Sequence, residues 1–124
     1  MTKNSTLKTM TNAQIITRFI DIGLKEDEAI LGFDVSAATA LYHTKTALIE
    51  ELKARPGDQR RLLLVLYNHE NKQVRLNAAK ATLAIAPAEA RAVLESLTVN
   101  KLYSQALDAG MCLWALDEGI FKPT

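Results

Sequence analysis

The chain has 124 residues, 48% of them hydrophobic and 23% charged, with a formal net charge of +1. That is an ordinary composition for one globular domain able to bury a core. Charge is even along the chain, with seven basic and seven acidic side chains in residues 1–57 and eight and seven in residues 58–124, so no basic stripe points to nucleic acid.

The five glycines and three prolines fall where helices should start or stop, and no period-2 pattern marks a strand. The expected class is therefore all-α. Residues 1–10 are polar and offer little apolar area to dock, which predicts a flexible leader ahead of a single all-α domain over 11–124. A first helix is expected from about Asn12 to Leu31, with Ile16, Ile20 and Leu24 repeating every four residues and Ile15 and Phe19 beside them. Gly23 inside it hints at close packing. Gly32 can end it, and Asp34 can cap the next.

The second helix reads from Asp34 to Ala54. Ala38, Leu41, Tyr42, Lys45, Leu48, Ile49 and Leu52 form its expected buried stripe, with the Lys45 stem snorkelling from the edge. "ARPGDQ" then breaks the chain: Pro56 disfavours helical geometry at Arg55, Gly57 supplies freedom, and Asp58 can cap. A short third helix follows, Gln59 to Asn68, with Leu62, Leu63, Val65 and Leu66 on one side. Asn71 caps a fourth, to about Ala84. Pro87 opens a fifth, to about Leu97, and Asn100 caps a sixth that ends at Glu118, before Gly119. About six helices with short links give antiparallel hairpins.

The fourth helix carries the most information. On a helical wheel Val74, Ala78, Ala81 and Ile85 share one face, and Leu76, Ala79 and Leu83 a second. Only the strip Gln73, Asn77, Lys80 and Ala84 is left for solvent, so the helix reads as sandwiched between neighbours. The pattern recurs 28 residues on without a gap: Val74, Ala78, Ala79, Ala81, Leu83 and Ile85 align with Leu102, Ala106, Leu107, Ala109, Met111 and Leu113. The polar strip aligns with Lys101, Gln105, Asp108 and Cys112. Two stacked helical hairpins would give this register.

"LLLVLYNHENKQVRLNAAKA" (62–81) resembles a HEAT-type repeat unit: an apolar first helix, a polar turn, then Val74, Arg75, Ala78 and Ala79 opening the second. Thr82 stands where leucine is usual, Lys72 where proline is common and His69 where aspartate often sits, and Leu102-Tyr103 replaces Val-Arg in the next unit. The closing "DAGMCLWALDEGIFKPT" (108–124) is similar to a group of small bacterial HEAT-like helical proteins without assigned function. The resemblance implies a HEAT-like α-α superhelix in the second half of the chain and a protein-binding role rather than catalysis.

No constellation suggests an enzyme. His43 and His69 are far apart and lack metal-ligand spacing. Glu50-Glu51, Asp27-Glu28 and Asp117-Glu118 are neighbours whose side chains diverge on a helix. No phosphate loop, dinucleotide fingerprint or nucleophile elbow is present. No cofactor or metal is expected. Cys112, the single cysteine, reads as a small packing residue at the core edge, and Trp114 as a core anchor. With no disulfide framework, no signal peptide and no apolar run long enough to cross a bilayer, a soluble cytoplasmic protein is expected.

The candidate binding strip is Gln73, Asn77 and Lys80 with its counterpart Gln105 and Asp108, and Arg75 is the candidate structural brace, reaching a carboxylate or carbonyl of an adjacent hairpin. The expected function is a non-catalytic interaction or adaptor module with a protein partner. The alternative is a small inhibitor or immunity-type protein that blocks one enzyme. Neither nucleic acid nor membrane is expected as a partner. Homo-oligomerisation could cover apolar ends such as Phe33, Val35, Ile120 and Phe121.

Overall fold

The computed structural model describes residues 3–124, with side chains from Thr6 onward. Among the described residues it holds six α-helices, one 3-10 helix and no strand. Two compact units divide between Leu62 and Leu63.

In the first unit, Lys3–Thr9 form a short helix, α1, where the sequence predicts a loose leader; residues 1 and 2 of that stretch lie outside the described residues. The buried Leu7 gives α1 an apolar anchor, and α1 packs on the third helix of the unit. Helix α2 is Asn12–Leu31. Its start is fixed by a capping box missed in the sequence: Thr11 Oγ1 accepts from the Gln14 amide at 3.1 Å, and Gln14 Oε1 accepts from the Thr11 amide at 2.8 Å, satisfying two orphan donors at once.

Helix α3, Val35–Ala54, is capped by Asp34, whose Oδ1 accepts from the Ala37 amide at 3.0 Å. Helices α2 and α3 pack together, α3 on the predicted stripe, where Leu48 and Leu52 are buried though Tyr42 is exposed, but α2 on a face turned from the predicted one. The buried face of α2 is Ile15, Phe19, Ile22, Glu26 and Ala29, while Leu24 is exposed. The face is turned because a carboxylate sits inside it. Lys45 Nζ of α3 meets Glu26 Oε2 at 2.9 Å, with both side chains nearly buried. Periodicity of apolar residues alone cannot find a core face that includes a neutralised charge.

Arg55 ties the end of α3 to the α1–α2 junction. Its guanidinium donates to Glu51 Oε2 at 2.8 Å, Asn12 Oδ1 at 2.8 Å and the Leu7 and Met10 carbonyls at 2.9 and 2.8 Å. This uses the planar fork in a way lysine could not. The following turn has Pro56 before Gly57 at φ +79°, and the Asp58 amide donates to the Arg55 carbonyl at 3.0 Å. Positive φ at that third position is the geometry of a type II turn.

Gln59–Asn68 has the expected bounds but forms a 3-10 helix. Its buried residues Arg60, Leu63 and Leu66 recur every third position, and Val65 is exposed, not on the core side. Burial of three residues in register favours three residues per turn.

In the second unit, α4 is Lys72–Thr82, α5 Pro87–Leu97 and α6 Ser104–Asp117. Each packs on the other two. Asn71 caps α4 by accepting from the Gln73 and Val74 amides at 2.9 and 3.1 Å. Leu76, Ala79 and Leu83 of α4 join Ala90, Leu94 and Leu97 of α5 and Ala109 and Cys112 of α6 in one core. Helix α6 begins at Ser104 rather than at the expected Asn100 cap; Asn100 Oδ1 instead accepts from the Leu102 amide at 3.1 Å, holding a turn. Its far end closes on Gly119 at φ +72°, with Ile120 donating to Ala115 O at 2.9 Å and Gly119 to Leu116 O at 3.2 Å, a Schellman motif.

Candidate functional site

The predicted strip divides into an inner and an outer part. Gln73, Asn77 and Gln105, expected in solvent, are 4%, 3% and 3% exposed. They join side chain to side chain: Gln73 Nε2 donates to Asn77 Oδ1 at 3.0 Å, and Gln105 Nε2 donates to Gln73 Oε1 at 2.8 Å. Stacking of α4 on α6 closes over them, and the amides remain inside because each finds a partner. Lys80 and Asp108 stay at the surface, joined at 2.9 Å across 28 positions. The predicted repeat counterparts therefore meet, although most of the strip is not a solvent face.

Arg75 Nη1 donates to the carbonyls of His69 at 2.7 Å and Glu70 at 3.0 Å. Those carbonyls belong to the turn leading into its own helix, not to an adjacent hairpin. Three departures from the repeat pattern find local reasons. Thr82 is fully buried, its hydroxyl paired with Tyr67 OH and donating to the Ala78 carbonyl at 2.8 Å. The Lys72 ammonium lies 4.1 Å from the centre of the Tyr103 ring, a cation–π contact. His69 Nδ1 accepts from the Asn71 amide at 3.0 Å.

Cys112 is buried, and burial pushes its thiol up, with Lys80 pulling the other way and Asp108 adding to the rise. Burial thus opposes formation of the nucleophilic thiolate. Among the described residues no group of three or more His, Cys, Asp or Glu could hold a metal ion, and no helix is long and apolar enough to cross a membrane.

The largest departure from expectation is the outer face of α6. Leu107, Met111 and Trp114 are 68%, 62% and 57% exposed, so Trp114 is not a core anchor. Spaced by four and three, they stand on one side of the helix. Their counterparts 28 residues earlier are Ala79, Leu83 and Ala86, all buried. What α5 and α6 cover on α4, no described residue covers on α6. Leu107 and Met111 form a ridge between two grooves. One, of about 420 Å³, is lined by Thr98, Lys101, Gly110 and Trp114; the other, of about 550 Å³, by Lys80, Asp108, Ala115 and Phe121. A methyl group added at Gly110 would meet nothing within 4 Å, so packing within the chain does not require that glycine. The sequence signal was the alignment of small Ala79 and Ala86 with large Leu107 and Trp114.

Comparison with known proteins places this geometry in a family. A family model described as a domain of unknown function (DUF2019) matches residues 13–117. The crystal structure of the protein RPA1889 from Rhodopseudomonas palustris CGA009 is similar at 46% sequence identity and a TM-score of 0.91, over 95% of this chain and 98% of that one. No curated protein matches the chain.

Proposed function

Since the chain belongs to the DUF2019 family, whose description carries no activity, we propose its function from geometry: it is a non-catalytic protein-interaction module of HEAT-like build. The observation that carries this reading is the uncovered apolar face of Leu107, Met111 and Trp114. Contiguous exposed apolar surface with an aromatic anchor and a charged rim has the composition of a binding patch. Lys80 and Asp108 line its edge, which carries the surface part of the predicted strip into the same face. The register of α4 and α6 supports a helical partner, since the equivalent face of α4 is covered by helices. Chemistry is not the better reading, because the buried amides of Gln73, Asn77 and Gln105 bind one another and Cys112 is buried.

The test is affinity capture of the tagged protein from lysate of its own cells, beside Met111→Glu and Lys80→Glu. A protein retained by the wild type and lost with Met111→Glu supports the reading. Equal retention by the folded Met111→Glu variant would overturn it.

A further inference from the structure

We infer that the occupant of the α6 face is a second copy of this chain, docked antiparallel about a two-fold axis near Gly110. The inference rests on reading that face as an interaction surface, and it names the partner.

Three observations converge on it. The first is the shape of the face. A ridge beside a groove is self-complementary, because a two-fold axis seats the Leu107–Met111 ridge of each copy in the Gly110 groove of the other. The second is Gly110 itself. Glycine inside a helix is unfavourable, yet space around it is open. At the crossing point of two helices the missing side chain lets the backbones approach closely.

The third observation is charge. Lys101 lines the groove at the start of α6, while Glu118, four residues beyond Trp114 on the same face, caps its end. The first turn of α6 has no acidic residue and the last turn no basic one. A parallel neighbour would set like charges together. An antiparallel copy brings Lys101 of each chain to Glu118 of the other, twice by symmetry, and sets the helix dipoles head to tail.

The experiment is sedimentation velocity of the full chain from micromolar to near-millimolar concentration, with circular dichroism to confirm folding. The wild type should sediment as a dimer at the higher concentrations and Met111→Glu as a folded monomer. Lys101→Glu and Glu118→Lys should each weaken self-association up to about fivefold. An equimolar mixture of those two variants should restore it, since each mixed pair then faces opposite charges. A wild type that remains monomeric throughout overturns the second copy. So does a dimer indifferent to both Met111→Glu and the charge reversals. If the monomeric wild type still captures a protein that Met111→Glu loses, the self-association fails while the interaction reading stands; loss of both is the failure of that reading.

Discussion

Gln73 holds two residues that are 28 positions apart: Asn77 of its own helix and Gln105 of α6, at 3.0 and 2.8 Å. Asn77 and Gln105 stand 28 positions apart in the same register, so one buried amide joins α4 to α6. Replacing it with leucine keeps the volume and removes both hydrogen bonds in a buried setting. Gln73→Leu should lower stability by about 1–3 kcal/mol, read from the midpoint of urea unfolding at constant slope. Lys80→Ala, which breaks only an exposed pair, should cost at most about 1 kcal/mol.

The Glu26–Lys45 pair at 2.9 Å predicts a non-additive result. Lys45→Met leaves a carboxylate in the α2–α3 core without its cation, and should cost about 3–5 kcal/mol. Glu26→Leu together with Lys45→Met should recover most of that loss, because two apolar side chains fill the same space. A double variant as unstable as the single ones added together would contradict the pairing.

Asp58 is held by Arg60, whose Nε and Nη2 donate to its two carboxylate oxygens at 2.9 and 2.7 Å. The guanidinium lowers the carboxyl below its ordinary value. A depressed folded value means that the unfolded chain takes up its proton first as pH falls. The stabilisation is therefore present above the usual aspartate range near 3.9 and is lost as pH drops through the lowered folded value. Asp58→Asn tolerates the same positive φ. Its thermal midpoint should lie below wild type at neutral pH, and the gap should close on acidification towards pH 3.

Cys112 should resist modification. Burial both shields the sulfur and pushes its ionisation to higher pH, so a maleimide at neutral pH should label the native chain far more slowly than the chain in denaturant. Equal rates would contradict the buried placement.

Most helix ends were legible from sequence because capping is local chemistry; the start of α6, read at Asn100, lies at Ser104. Asp34, Asn71, Pro87 and Gly119 each mark a boundary by their own side chain or φ preference. Faces were less legible, because burial depends on what comes alongside. Gln73, Asn77 and Gln105 look solvent-bound on a wheel and are interior, since they satisfy one another across a helix pair that periodicity does not show. Leu107, Met111 and Trp114 look like core and stand outside, since α6 has no following hairpin over it among the described residues. Glu26 reads as surface until Lys45 is placed opposite. The register of 28 residues gave the correct neighbours, as Lys80 and Asp108 show, but register does not say which side of a terminal helix is left open.

Trp114 is the single tryptophan and lies on the exposed α6 face, so it reports on the central claim directly. The measurement is the fluorine NMR resonance of 5-fluorotryptophan at that position, recorded in dilute solution, at near-millimolar concentration and in cell lysate. Burial of the indole against protein predicts a shifted or broadened resonance in the concentrated or lysate sample, and an unchanged one for Met111→Glu. A single narrow line at the dilute, solvent-exposed position under all three conditions would contradict the assignment of this face to protein binding.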